Sequence, residues 1–570
     1  MAPCYECATL IAFLRTPKGA WTVLGIAMAL SAALILHATH GQGFAIDELF
    51  YYGRVADKEG ALVHYRPFSP EYLLAPFNDH LPLGGRFAYE AVFATIGAHY
   101  TAFVLLNIAS LFACVALTFE LGRRRIGELA ALAPCIVLLF LGFASEQLLW
   151  PLDFNTAGSL AAGLGAVLAL QREDRRGDLL ACLLLAVSVA MIELGLCFAL
   201  GIAVWLAIRD RRGALRRAWI VLAPVALYAL WWIWARKFDQ SEASTGNVHL
   251  IPHTFLDGAA AVMGSLTGTN PVEAGSYATT ATGFGKALAV VAGLVLLVRL
   301  WLGSVPRTIW VWLVVLATYW LLLAGAARPA VAGRYILVGA VLVVLIAADA
   351  VGRRIPTGIA AALLVLALLA LPANIEQLTE GRADDVLHHD PPVSSTEFAM
   401  LELAGEHVDP EYIVSSDPRV AEVDGSLYIG IPAGAYLDAA AHNGSIAYSL
   451  SEVREQNEEL RLIADAALVG ALGLELEPTR APGRGAKCRS VAPAHGADSA
   501  EFTPTTGRTL LRPAAAGQTA LWLARFADSP RSVGIDYLPA GWSRLAIPAD
   551  AAPDPWRATV DGPVIVCTPG

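Results

Sequence analysis

Apolar residues run in long blocks through the first two thirds of the chain. Each block is read as a helix through lipid, not as one face of a soluble helix. They fall near 21–36, 101–120, 128–144, 156–171, 179–193, 194–208, 216–235, 283–300, 308–325, 335–350 and 357–373. The stretch 179–208 is too long for one crossing and reads as a tight helical hairpin through Glu193-Leu194-Gly195. The pattern predicts an α-helical polytopic membrane protein with roughly eleven transmembrane helices. From about Asn374 it changes. The segment 375–480 mixes a strand candidate, Tyr412-Ile413-Val414, with a helix from Leu450 to Ala467. From about 490, short runs such as Ala520–Leu523, Val533–Tyr537 and Val564–Val566 are punctuated by Gly and Pro, which predicts a β-rich, sandwich-like unit. The expected division is therefore a membrane domain, 1–373, and a soluble α/β to β-sandwich-like domain, 374–570.

Composition agrees with the blocks. Hydrophobic residues make up 56% and charged residues 16%, against about 25% charged in a soluble domain, and the mean hydropathy is +0.54. A formal net charge of −10 argues against a nucleic-acid partner. The first block follows Arg15 and Lys18 but lacks a convincing A-x-A cleavage site, so it is kept as a span.

Arginine placement sets the expected orientation. With the N-terminus in the cytoplasm, the inner loops carry Arg123–Arg125, then Arg172, Arg175 and Arg176. Arg209, Arg211, Arg212, Arg216 and Arg217 follow, then Arg299 and Arg307, and finally Arg353 and Arg354. Every short loop on that side is basic, as the positive-inside rule requires. The loop 40–100, the segment 237–282 and the C-terminal domain then lie outside. The bias towards Ala, Gly and Arg suggests a GC-rich bacterium, so the expected place is a bacterial inner membrane.

The first outer loop is not a plain linker. Ile46, Leu49, Phe50, Tyr51 and Val55 recur at helical spacing, as do Tyr89, Val92, Phe93 and Ile96, which predicts interfacial amphipathic helices. Among the cysteines, Cys4 and Cys7 form a C-x-x-C-like pair with no second pair to complete a zinc site. Cys488 and Cys567 are the only two in a domain expected to be in an oxidising compartment and are predicted to form a disulfide.

Candidate chemistry concentrates in that loop. Asp47 and Glu48 follow the first block, and Phe77-Asn78-Asp79-His80-Leu81-Pro82-Leu83 comes later in the loop. Acids among aromatics at a membrane surface serve either as helix caps or as a catalytic carboxylate with neighbours able to share a divalent cation, Mg, Mn or Ca. Glu146, Gln147, Asp153 and Glu193 lie in outer connections and are candidate cavity residues. Arg328, Arg334 and Tyr335 lie on the outer side, where arginine is rarer and a guanidinium suits a lipid phosphate. His388-His389-Asp390 reads as a solvated loop. No phosphate-binding G-x-x-x-x-G-K-[ST] loop is present, so nucleotide hydrolysis has no support.

This layout resembles the GT-C superfamily of membrane glycosyltransferases, which includes protein O-mannosyltransferases, aminoarabinose transferases and actinobacterial arabinosyltransferases. The resemblance covers about 1–373. Asp47-Glu48 sits where that superfamily's loop acid sits, and Asp79-His80-Leu81-Pro82-Leu83 is similar to its second acidic motif. It implies a polyprenyl-phosphate sugar donor, a cell-envelope glycan, lipid or protein acceptor, Asp47 as general base, and Arg334 at the donor phosphate with Tyr335 and Arg328. Two rivals remain at this point. One is a lipid or glycan flippase, which would want mid-membrane charges and broken helices. The other is a non-catalytic anchor presenting a glycan-binding domain, which needs no paired acids.

Overall fold

The computed structural model describes residues 13–568, apart from 59–60, 78–79, 210, 239–243, 271–281, 304, 380–389, 425–429, 496 and 515–518. Cys4, Cys7, Asn78, Asp79, His388 and His389 lie outside the described residues. The chain forms two compact units. The first contains Met1–Gly41, Ala56–Ala61 and Arg66–Leu387, and the second contains Gln42–Val55, Leu62–Tyr65 and His388–Gly570. Gln42–Val55, expected in the membrane domain, belongs to the second unit.

The first unit is helical. Among the described residues, six helices are long and apolar enough to cross a membrane: Pro17–Ala38, Tyr100–Ile126, Trp219–Phe238, Gly283–Trp301, Gly333–Val351 and Thr357–Thr379. The bent pair Glu128–Leu139 and Gly142–Leu149 makes a seventh if it is one span. Each expected block is helical, but the count of eleven is not reached by length and composition. Phe154–Leu170, Arg175–Met191, Leu194–Arg209 and Ile309–Gly325 have 16 or 17 residues, short of the roughly 20 that a crossing takes. Another helix, Ile251–Thr267, lies in the segment 237–282 read as an outer connection. Pro252 in its first turn favours helix initiation there, and Gly258, Gly264 and Ser265 hid its period.

Two sharp turns place the polar groups. Ile192 leaves the helical region at φ −166° and ψ 162°, ending Arg175–Met191. A Cβ on Gly195 would lie 2.3 Å from the Val189 backbone nitrogen, so only glycine lets the next helix start so close. Glu193 is thereby held at the tip of the hairpin. At the second turn, the Gly142 N–H donates to Asn374 Oδ1 at 3.0 Å, and a Cβ on Gly142 would lie 1.8 Å from the Asn374 carbonyl oxygen. The bend of 49° there re-aims the short helix Ser145–Leu149.

In the second unit, Asp47–Tyr52 is a six-residue helix. Gly53 ends it, so Val55 starts strand β1 (Val55–Lys58), which precedes β2 (Ala61–His64), and does not extend the expected helix. The Tyr412-Ile413-Val414 strand is also not formed. Val414–Ser416 is a 3-10 turn, and the Tyr412 hydroxyl donates to Asp417 Oδ2 at 3.1 Å. Turn formers surround the run, from Asp409-Pro410 to Ser415-Ser416-Asp417-Pro418. The helix expected over 450–467 is two, Leu450–Glu455 with a Ser449–Glu452 capping box and Glu458–Ala471 capped by Asn457.

The β-rich part starts earlier than expected, at Leu476. Its strands are β3 (Leu476–Thr479), β4 (Lys487–Val491), β5 (Ala500–Phe502), β6 (Gly507–Pro513), β7 (Ala520–Ala524), β8 (Val533–Tyr537), β9 (Trp542–Ile547), β10 (Arg557–Val560) and β11 (Val564–Thr568). They form two antiparallel sheets, ordered β5-β10-β7-β8 and β3-β9-β6-β11-β4. Alternate residues of β9 (Ser543, Leu545 and Ile547) are buried, as the strand period requires. Cys567 on β11 pairs in register with Cys488 on β4, and a disulfide joins them with the Cα atoms 4.0 Å apart. Closing a loop of 79 residues contributes roughly 4 kcal/mol on the chain-entropy account.

The helix Glu458–Ala471 is tied to the sheet by one buried carboxylate. Asp465 accepts the backbone N–H groups of Arg525 (3.0 Å), Phe526 (2.8 Å) and Ala527 (3.2 Å). Burial outweighs those hydrogen bonds and pushes its carboxyl up to about 6. A carboxyl with a raised folded pKa binds its proton more tightly folded than unfolded. Its stabilisation is therefore full below about pH 4 and lost as the pH rises through about 6, a change of roughly 3 kcal/mol. Hydrogen exchange at the Arg525–Ala527 amides, corrected for intrinsic rates, should show stronger protection at about pH 4 than at about pH 7. Asp465→Asn should flatten that difference. Equal protection in the unsubstituted protein at both pH values would contradict the assignment.

Candidate functional site

The membrane unit contains a cavity of about 790 Å³. Most of its wall is apolar, including Leu200, Trp231, Trp232 and Leu322. The charged groups come from the ends of helices and from connections, while Tyr228 and Tyr319 project from within helices. His80 comes from the loop before Leu83–Ile96, Glu193 from the hairpin tip, Arg328 from the connection after Ile309–Gly325, and Tyr335 from the first turn of Gly333–Val351.

These groups fall into two sets. In the first, His80 Nδ1 is paired with Glu193 Oε2, and the Tyr228 hydroxyl donates to Glu193 Oε1 at 3.5 Å. A carboxylate on Nδ1 makes Nε2 the basic nitrogen of a neutral imidazole. In the second, Arg328 Nη1 donates to the Tyr335 hydroxyl at 3.3 Å. An acid–imidazole pair and a guanidinium–phenol pair thus share one apolar chamber. It offers hydrogen-bond acceptors for hydroxyl groups and a fork for an anion.

The approach to His80 is fixed from below. Arg86 is fully buried, donates to the carbonyl oxygens of Tyr72 and Ala75, and stacks over the Tyr72 ring with 4.5 Å to its centroid. Trp231 Nε1 donates to the Leu74 carbonyl at 2.7 Å. The segment Leu74–Pro76 is therefore pinned before the chain reaches His80.

Arg334 is not among the residues lining the cavity, contrary to the expectation from sequence. Its Nε lies 2.8 Å from Glu146 Oε2, and its guanidinium stacks near the Trp150 ring at 5.8 Å. Glu146, Gln147 and Asp153 do not line the cavity either. The bend at Gly142 turns their segment inwards, where Asn107 Nδ2 donates to the carbonyls of Gln147, Leu148 and Trp150 at 3.1–3.2 Å and Gln147 Nε2 donates to the Asp153 carbonyl at 2.9 Å. Of the sequence candidates, the cavity gathers His80, Glu193, Arg328 and Tyr335. It also recruits Tyr228, Tyr319 and Arg236, which sequence reasoning missed. The signal available for Tyr228 was a hydroxyl inside an otherwise apolar, Trp-rich block.

In the second unit, the two first-loop acids part company. Glu48 is fully buried, and its Oε2 accepts the Ala45 N–H at 3.4 Å, closing its own turn. Asp47 is half-buried in the first turn of its helix. Ile46, immediately before it, has φ 47°. A β-branched residue there is a true outlier, a strain of order 1–3 kcal/mol that persists where the surrounding structure enforces it.

Among the described residues no group of three or more His, Cys, Asp or Glu side chains is placed to hold a metal ion.

No protein-family model matches the sequence, and no curated protein matches it. Among solved structures, the chain is similar to the oligosaccharyltransferase of Archaeoglobus fulgidus in its apo form, at 13% identity and a TM-score of 0.39, over 77% of this chain and 65% of that one. It is also similar to the arabinosyltransferase EmbB of Mycobacterium smegmatis, at 13% identity and a TM-score of 0.32, over 96% of this chain and 64% of that one. The chain thus spans just under two thirds of the length of either protein.

Proposed function

We propose that this protein is a membrane glycosyltransferase that moves a sugar from a polyprenyl-phosphate donor to a hydroxyl of a cell-envelope glycan, lipid or protein. The observation that carries this reading is the cavity. Its walls are apolar enough for a prenyl chain, its Arg328–Tyr335 pair suits a phosphate, and its His80–Glu193 pair suits sugar hydroxyls. In the reaction, the acceptor oxygen bonds to the anomeric carbon as the bond from that carbon to the phosphate oxygen breaks. The electron pair leaves with the phosphate, whose charge Arg328 stabilises. The acceptor proton goes to a general base, the role proposed for Asp47 from its place in the sequence. A single displacement of this kind inverts the anomeric centre.

Asp47 is assigned over Glu48 because Glu48 is fully buried, whereas Asp47 is half-buried and follows a strained Ile46. The orientation in this reading is that given by the arginine-rich connections, with the second unit extracytoplasmic on a bacterial plasma membrane. A flippase is disfavoured because the charged groups of the cavity, His80, Glu193, Arg236 and Arg328, come from helix ends and connections and not from mid-helix positions.

The test is a transfer assay. Purified protein in detergent is given a polyprenyl-phosphate donor carrying a labelled sugar together with an envelope fraction. Label should move to the acceptor with release of an equal amount of polyprenyl phosphate. Donor consumed without labelled product, or donor carried intact across a vesicle membrane, would overturn the reading.

A further inference from the structure

We propose that the membrane unit has a second anion site, at the other end of the helices that form the cavity, which takes the phosphate of an anionic lipid headgroup. It is a concavity of about 340 Å³ lined by Arg125, Arg209, Arg307, Glu173, Trp205 and Gln171, among others. A smaller cavity of about 80 Å³ adjoins it through Arg125, Gln171 and Thr308. The two large cavities share helices. Leu194 lines the first and Arg209 the second, at opposite ends of Leu194–Arg209, so at 1.5 Å per residue they are about 22 Å apart.

Charge within the site is not balanced. Arg125 Nε lies 2.9 Å from Asp349 Oδ1, and Asp349 also accepts from Thr308 (2.5 Å) and Trp312 (3.0 Å), which closes the inner wall. Arg209 pairs with Glu173 at 2.5 Å. Glu173 is held at φ 59°, a backbone region unusual for glutamate. Arg307 donates to the Arg209 carbonyl at 3.4 Å and pairs with no carboxylate among the described residues. Basic residues at this end follow from membrane orientation, and a cation at a helix C-terminus serves the helix dipole. Neither accounts for three guanidinium groups lining one concavity with the Trp205 ring 5.8 Å from Arg209. The depth fits a headgroup as well. Trp219, Trp301 and Trp310 are exposed at the same end of the helices, and exposed tryptophan belongs at the headgroup level.

The test uses the full chain in detergent, with native mass spectrometry to count bound lipid and thermal unfolding to read protection. The probes are phosphatidylglycerol, phosphatidylcholine and inorganic phosphate. Phosphatidylglycerol should be retained over phosphatidylcholine and should raise the unfolding temperature. Each lost arginine should weaken retention about fivefold in Arg209→Gln/Arg307→Gln. Arg216→Gln, which removes a basic residue outside the cavity, should leave it unchanged. Arg307→Gln alone, which breaks no ion pair among the described residues, keeps the test valid if the double variant does not fold. Unchanged retention in Arg307→Gln, equal loss in Arg216→Gln, or equal protection by inorganic phosphate would each overturn the assignment. None of these readouts depends on glycosyl transfer, so failure here leaves the donor reading standing.

Discussion

Transfer of labelled sugar should fall at least a hundredfold in Asp47→Asn, while the donor still binds. The substitution keeps the shape of the side chain and removes the base. A hydroxyl attacking the anomeric carbon must lose its proton as the bond forms, and an amide cannot take it. Glu48→Gln should instead act on folding of the first loop, because Glu48 is fully buried and closes its own turn. Glu193→Gln should act on the donor. It weakens the pairing with His80 and the hydrogen bond from Tyr228, so KM should rise by about tenfold with a smaller change in kcat. Near-normal turnover in Asp47→Asn, with a hundredfold loss of kcat in Glu193→Gln, would transfer the role of base to the His80–Glu193 pair.

Arg328→Ala should lower kcat/KM for the donor by about 10² to 10³. Arg328 is the cavity arginine hydrogen-bonded to the Tyr335 hydroxyl, and the leaving phosphate gains its charge in the transition state. Arg328→Lys should recover part of the loss, since it restores the charge without the planar fork. Arg334→Lys separates this assignment from the one made on sequence. Arg334 is held by Glu146 and does not line the cavity, so its substitution should lower stability before it lowers donor affinity. Equal losses in donor affinity for Arg328 and Arg334 variants, at unchanged stability, would return the phosphate role to Arg334.

The helices were legible in the sequence wherever composition alone decides. Blocks such as 101–120 and 357–373 are apolar on every side, and the structure has Tyr100–Ile126 and Thr357–Thr379 there. Ile251–Thr267 was hidden because Gly258, Gly264 and Ser265 resemble a loop locally. The β-strands Val533–Tyr537 and Val564–Thr568 were legible from turn residues on both sides, whereas Tyr412–Val414 had the composition of a strand but turn formers before and after it. In the candidate site, Glu193 and His80 were visible as polar residues at the ends of apolar blocks, but their pairing was not, because it spans 113 residues. That Arg328 lines the cavity and Arg334 does not was illegible for a related reason. It depends on where a bend at Gly142, held by Asn374, sends Glu146.

The central claim is that the cavity holds a polyprenyl phosphate, and electron cryomicroscopy of the protein in lipid nanodiscs with an unreactive polyprenyl-phosphate sugar tests it most directly. Density for the phosphate is expected beside Arg328 and Tyr335, with the sugar towards His80 and Glu193 and the prenyl chain along Trp231, Trp232 and Leu322. A cavity filled only by bulk lipid at saturating donor, or a phosphate bound beside Arg334 and away from Arg328, would contradict it.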